Sequence, residues 1–218
     1  YVVHLTFEPT NKTGIINYVF WLETNQKMLK SVLAIVDTVQ LAAVNKGDTE
    51  KVSNNLPTTD PLVISDYDQQ DHLQGDIAWP SSLIGKQTQN VEILDQWWAI
   101  WSQKQLANIN TLYNDNAVIN LPGDKHPQKR DQLFEFVLSK INTLTRIFTQ
   151  LEDIAIDGQD VAIKWFLDGD EGDDKIRLPF ITLLKIENNR ITVDTTICDI
   201  LAFNKNFSAS RVFKQITA

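Results

Sequence analysis

The rhythm of apolar and polar positions changes along this chain, and the changes divide it. From residue 145 onward the period is two: 145–156, 161–167, 176–186 and 190–203 each read as a strand. Asp157-Gly158, the acidic run 169–174 and Asn188-Asn189 mark the turns between them. Between residues 90 and 141 the period is nearer 3.6. Val91, Leu94, Trp98 and Trp101 recur at steps of three, four and three, with Trp97 and Ile100 alongside, which predicts a helix with a wide apolar face. A second, short helix follows over 106–113, then a strand over 116–121 stopped by Pro122-Gly123. Leu133, Phe134, Val137, Leu138 and Ile141 share one side of a third helix over 131–141. The order α-α-β-α-β-β-β-β predicts an α+β cone, a curved antiparallel sheet with three helices closing its concave side.

The first 80 residues follow another plan. Residues 1–8 alternate Val3, Leu5 and Phe7 against His4 and Thr6, and 15–22 is a second β-rich run beyond a Gly-containing turn. Together they read as a β-hairpin. Leu29, Val32, Leu33, Val36, Val39, Gln40 and Ala43 fall on one helical stripe, so 25–45 is expected as a long amphipathic helix ending near Gly47. A polar stretch with two prolines, 47–61, reads as a linker, and 63–79 as a further helix. The chain opens with a strand already under way and no initiator Met, which reads as a fragment. The expected organisation is a partial domain over 1–80, a cone over 90–203 and a tail over 204–218.

One residue disturbs the pattern of the last strand. Strict alternation puts Ile191, Val193, Thr195, Ile197, Asp199, Leu201 and Phe203 on one face, an apolar row interrupted by a carboxylate. An ionised carboxylate among apolar neighbours is costly unless it is paired, hydrogen-bonded or protonated. Asp199 is therefore expected to be either held by a partner or used for chemistry in a pocket.

Composition narrows the function classes. The net charge of -8, with no basic run beyond Lys125, Lys129 and Arg130, argues against nucleic-acid binding. The single cysteine, Cys198, offers neither an internal disulfide nor a zinc pattern, and a reducing, cytoplasmic setting is expected. No apolar run is long enough to span a membrane, so no membrane partner is expected.

Three local motifs carry a resemblance. Trp97-Trp98-Ala99-Ile100-Trp101 lies on the opening helix, and Leu112-Tyr113-Asn114-Asp115-Asn116-Ala117-Val118-Ile119-Asn120-Leu121-Pro122 spans a helix end, an acidic turn and the first strand. Asn188-Asn189-Arg190-Ile191 opens the closing strand, eight residues ahead of Asp199. In this order they resemble the NTF2-like superfamily and its SnoaL-like branch, over about residues 90–203. The resemblance implies a small-molecule pocket; members include isomerases, cyclases, dehydratases and epoxide hydrolases, and also silent binding modules. Against the limonene epoxide hydrolase type, Asn120 and Asp199 match, but Val118 stands where a Tyr would be. Lys164 and Phe166 stand where an Arg–Asp pair would be, so that activity is rejected. The N-terminal part is similar to the end of a helix-grip (START-like) domain, as in the catalytic half of Rieske-type ring-hydroxylating oxygenases. Asp66-Tyr67-Asp68-Gln69-Gln70-Asp71 bears a loose likeness to the segment of the last iron ligand there.

The residues expected to carry function are Asp199 and Asn120 as the polar pair, with Trp98, Trp101, Tyr113, Trp165, Ile197 and Leu201 lining the pocket. Each has a plainer reading. Asn120 caps a turn, the tryptophans fill a core, and Tyr113 packs on the sheet. His126, in a loop over the cone mouth, reads as solvated, and the five carboxylates of 168–174 lack EF-hand spacing. The expected function is binding of a small hydrophobic ligand, with cofactor-free and metal-free acid/base chemistry on it. The alternatives are a non-catalytic ligand-binding or dimerisation module, a homodimer forming through the sheet, and the tail of a ring-hydroxylating oxygenase.

Overall fold

The computed structural model describes residues 1–7, 16–25, 28–37, 88–122, 127–143, 146–171 and 174–198. The expected helix over 63–79, His126, and the residues from Asp199 to the C-terminus, Leu201 among them, lie outside these. Three strands open the chain: β1 (Val2–Phe7), β2 (Ile16–Asn25) and β3 (Met28–Val36). They form an antiparallel sheet in the order β1-β2-β3. The hairpin of β1 and β2 is as the alternation predicts. Residues 28–36, however, are a strand where a helix was expected. The spacing of Leu29, Val32, Leu33 and Val36 fits a helical stripe, but Val32, Ile35 and Val36 are β-branched and stiff at χ1. Eight residues of β3 find a paired neighbour in β2, and only Ile35 of them is deeply buried, at 3% exposure. Tertiary pairing here overrides a periodicity that was compatible with both states.

The second unit follows the predicted order closely. Helix α1 (Thr88–Ser102) leads through α2 (Asn108–Leu112) to β4 (Tyr113–Asn120), and α3 (Arg130–Thr143) precedes β5 (Arg146–Asp157), β6 (Asp160–Glu171), β7 (Asp174–Glu187) and β8 (Arg190–Ile197). These strands form one sheet in the order β4-β8-β7-β6-β5. It is mixed rather than purely antiparallel, because β4 runs parallel to β8 while the other pairs are antiparallel. A parallel neighbour needs a long crossover, and α3 with three strands supplies it. Asn188 and Asn189 both adopt positive φ, 52° and 60°, which is what a two-residue turn between twisted strands requires.

Both faces of this sheet are covered. On the inner face α1 lays Ile93, Leu94, Trp97, Trp98, Ile100 and Trp101 against Ile163 and Trp165 of β6, Phe180 and Leu184 of β7, and Ile119 of β4. Trp165 stands at the centre, 4.5 Å from the Phe180 ring in a stacked arrangement and 5.1 Å from that of Trp101. On the outer face Ala162, Ile181 and Ile197 pack with Val19, Trp21 and Ile35 of the N-terminal sheet. The strands β2 and β3 thus lie against part of the outer face of the sheet. Each buried Val or Ile in such a seam contributes about 1.5–3 kcal/mol. Among the described residues, no helix is long and apolar enough to cross a membrane.

Candidate functional site

The alternation of β8 contains a break that places its chemistry. Lys185 pairs with Val193 but Ile186 pairs with Ile191, so Thr192 is an extra residue in the strand, a β-bulge. Its hydroxyl donates to the Lys185 carbonyl oxygen at 3.3 Å. A bulge shifts the side-chain phase by one residue. Ile191 faces the helices, and beyond the bulge Asp194, Thr196 and Cys198 do so, whereas Thr195 and Ile197 face the N-terminal sheet.

Asp194 therefore lies in the cone interior with 0% exposure. Three uncharged donors meet it from three elements. The Tyr113 hydroxyl, at the start of β4, donates to Oδ2 at 2.5 Å. The Trp97 indole N–H, from α1, reaches the same oxygen at 3.4 Å, and the Thr196 hydroxyl donates to Oδ1 at 3.1 Å. Behind Thr196 stands Thr182, its cross-strand partner on β7, with the two hydroxyl oxygens 2.9 Å apart. The Trp165 indole N–H donates to the Thr182 oxygen at 3.0 Å.

Burial raises the Asp194 carboxyl from its ordinary 3.8 to about 6, even though the hydrogen bonds from Tyr113, Thr196 and Trp97 favour the ionised form. Burial also holds the Tyr113 phenol well above its ordinary value of 10, and the neighbouring Asp194 charge adds to the effect. Tyr113 is thus a neutral donor across the physiological range. Asp194 is a carboxylate poised to exchange a proton near neutrality, a pairing suited to acid/base work. Among the described residues, no group of three His, Cys, Asp or Glu side chains converges as a metal site would require.

The sequence-predicted residues separate between the two faces. Trp98, Trp101, Tyr113 and Trp165 are all buried on the inner side with Asp194. Ile197 packs in the outer seam. Asn120 pairs with Thr195 on β8 and its amide N–H donates to the Thr195 hydroxyl at 3.0 Å. It is thus bound to a residue of the face opposite Asp194. Lys164 is tied to Glu152 at 2.9 Å. Asp168, one of the five carboxylates of 168–174, is 2% exposed. Asp199 and Leu201 lie outside the described residues. The residue that sequence reasoning passed over is Asp194. Thr192, Asp194 and Thr196 look like the solvated side of a half-buried strand, and only a sheet covered on both faces makes that carboxylate conspicuous.

Comparison with known proteins bears on the fold. Residues 94–193 match the family model of the SnoaL-like domain. Among solved structures, a proposed polyketide cyclase of Bacillus cereus superposes with a TM-score of 0.51 at 22% identity, over 56% of this chain and 81% of that one. Wild-type IdmH, a proposed polyketide cyclase of Streptomyces antibioticus, superposes with a TM-score of 0.50 at 15% identity, over 56% of this chain and all (100%) of the other. Among curated proteins, none matches this chain in sequence. Residues 94–193 are therefore a SnoaL-like domain of the NTF2-like superfamily, an α+β cone, and Asp194, the partner of its Tyr113, follows immediately on the last strand.

Proposed function

We propose that the SnoaL-like domain binds a small, largely apolar molecule inside the cone and carries out cofactor-free proton transfer on it. Asp194 is the proton acceptor, and Tyr113 supplies a hydrogen bond to an oxygen that gains charge. The observation that carries this reading is a carboxylate with 0% exposure held by three neutral donors, whose burial raises the carboxyl to about 6. Such a group changes protonation state close to neutral pH without solvent beside it. The indole and phenyl rings around it favour an apolar, planar ligand. The similarity to proposed polyketide cyclases supports a small-molecule cyclase or isomerase type of domain.

The test uses 2-tetralone, an enolisable aromatic ketone, and follows exchange of its α-protons with solvent deuterium by NMR. Loss of a general base costs about 10²–10⁴ in rate, so Asp194→Asn should lose at least that lower bound while Tyr113→Phe retains part of the activity. Wild-type protein that gives no exchange above buffer, or a folded Asp194→Asn variant that matches it, overturns the catalytic reading. A second reading would then take its place. The donors to Asp194 come from α1, β4 and β8, so the same centre can serve as a clasp fastening helix to sheet in a non-catalytic ligand-binding module.

A further inference from the structure

Of the indoles that meet inside the cone, one has no acceptor for its N–H. The Trp97 N–H goes to Asp194 and that of Trp165 to Thr182. The Trp101 N–H is buried and has no hydrogen-bond partner among the described residues, although its ring lies 5.1 Å from that of Trp165 and 6.3 Å from that of Trp97. The residue as a whole is 8% exposed. A second group shares this condition: the Thr149 hydroxyl, on β5, is also buried without a partner. Thr149 stands opposite Leu167 of β6, and Leu151 stands opposite Trp165. Thr149 therefore points to the same inner face as Leu167 and lies one diagonal step from Trp165. A buried polar group left unpaired carries the cost of its desolvation in full, which is why nearly all such groups in folded proteins are paired. Two of them flanking one indole call for a common cause.

We propose that the Trp101 indole N–H and the Thr149 hydroxyl form a second anchoring point in the cone, which holds an acceptor oxygen at the end of the ligand remote from Asp194. The indole can only donate, and the hydroxyl has a single hydrogen to give, so together they suit one oxygen with two lone pairs. Both donors are neutral. A ketone or ester carbonyl therefore fits them better than a carboxylate, whose burial costs far more. The spacing follows from α1. Trp97, which touches Asp194, and Trp101 lie one turn apart on one face of that helix. The second oxygen is thus held about 5.4 Å, one helical pitch, beyond the indole that meets the carboxylate. The ligand class is a flat apolar ring system with an enolisable ketone at one end and a second carbonyl at the other. The Trp101 end also reaches towards solvent. Trp97 and Trp165 are 0% exposed, whereas α1 ends at Ser102 and exposed Gln103, Lys104 and Gln105 follow.

This inference deepens the proposed function and rests on its reading of the cone as a ligand site, but its test needs no turnover. Two ligands of one shape are compared. 6-Acetyl-2-tetralone carries the second carbonyl, and 6-ethyl-2-tetralone has a methylene in its place. Dissociation constants are measured by isothermal titration calorimetry with the full chain, and their ratio cancels what a substitution does to packing alone. Trp101→Phe and Thr149→Val should each reduce the preference for the acetyl ligand by about threefold to tenfold, the scale of one neutral hydrogen bond. Thr149→Ser keeps the hydroxyl and should retain the wild-type preference. In wild type the Trp101 indole proton should move further downfield with the acetyl ligand than with the ethyl one. If Trp101→Phe does not fold, that shift together with Thr149→Val against Thr149→Ser decides the matter. An unchanged preference in folded Trp101→Phe, or an indole proton that takes the same position with both ligands, overturns the proposal and leaves the cone a ligand site. If neither ligand binds, the reading of the cone as a ligand site falls and this proposal with it. The expected preferences without any proton exchange in 2-tetralone support this proposal and overturn the catalytic reading alone.

Discussion

Asp194 ties the stability of the protein to pH with a defined sign. Its carboxyl binds a proton more tightly in the folded protein, at about 6, than the ordinary 3.8 expected of the unfolded chain. Between these values the folded state holds more protons than the unfolded one, so stability falls as pH rises through that window. Below about pH 4 the contribution is fully present, and above about pH 6 it is lost. A separation of about two pH units corresponds to about 3 kcal/mol. Urea denaturation at intervals from pH 4 to 7 should therefore show wild type losing stability relative to Asp194→Asn by an amount of that order. Parallel pH profiles for the two proteins would show that Asp194 does not titrate in this range. Tyr113 belongs to the same scale. Its motif was legible in the sequence, but its partner, 81 residues away, was not.

At the scale of elements, the sheet is a double-sided object. Of its strands, β6, β7 and β8 send alternate side chains into the tryptophan-rich interior and into the seam with the N-terminal sheet. Trp21, 3% exposed, is the largest side chain in that seam. Trp21→Ala should cost about 3–5 kcal/mol in urea unfolding, as a large-to-small change in a packed core does. Because the seam is on the side of the sheet away from Asp194, the Asp194 titration midpoint should stay at its wild-type value. A variant that shifts the midpoint while barely changing stability would show that the two faces are coupled. The helices and strands from 88 to 197 were legible because their periods are long and regular, and the predicted elements lie within a few residues of the observed ones. The bulge at Thr192 was not. A single inserted residue leaves composition and propensity unchanged yet reverses which face every later side chain takes.

The whole molecule joins a SnoaL-like domain to a second, smaller sheet through an apolar seam. Deleting residues 1–87 would uncover Ala162, Ile181 and Ile197, with Leu183 and Ala155 beside them, as one contiguous apolar surface. The shortened protein should bind the dye ANS more strongly than the full chain and associate as its concentration rises in size-exclusion chromatography. A monomeric product with the dye signal of the full chain would mean that the N-terminal sheet is not what keeps that face from water.

The sequence by itself determined the elements of the cone, their order and its family, because periodicity, turn residues and local motifs are properties of neighbouring positions. It also determined that Trp97, Trp98, Trp101 and Trp165 would be buried, since aromatic side chains at helical and strand spacing have few other places to go. Only the tertiary structure decided that residues 28–36 are a strand, that β4 lies parallel beside β8, and that each face of the sheet carries an apolar cluster. It alone brought Tyr113, Trp97 and Thr196 together on the carboxylate of Asp194. The reason is physical: the free energy of a charged group depends on what surrounds it in space, and here two of its three donors, on α1 and β4, lie 97 and 81 residues away along the chain.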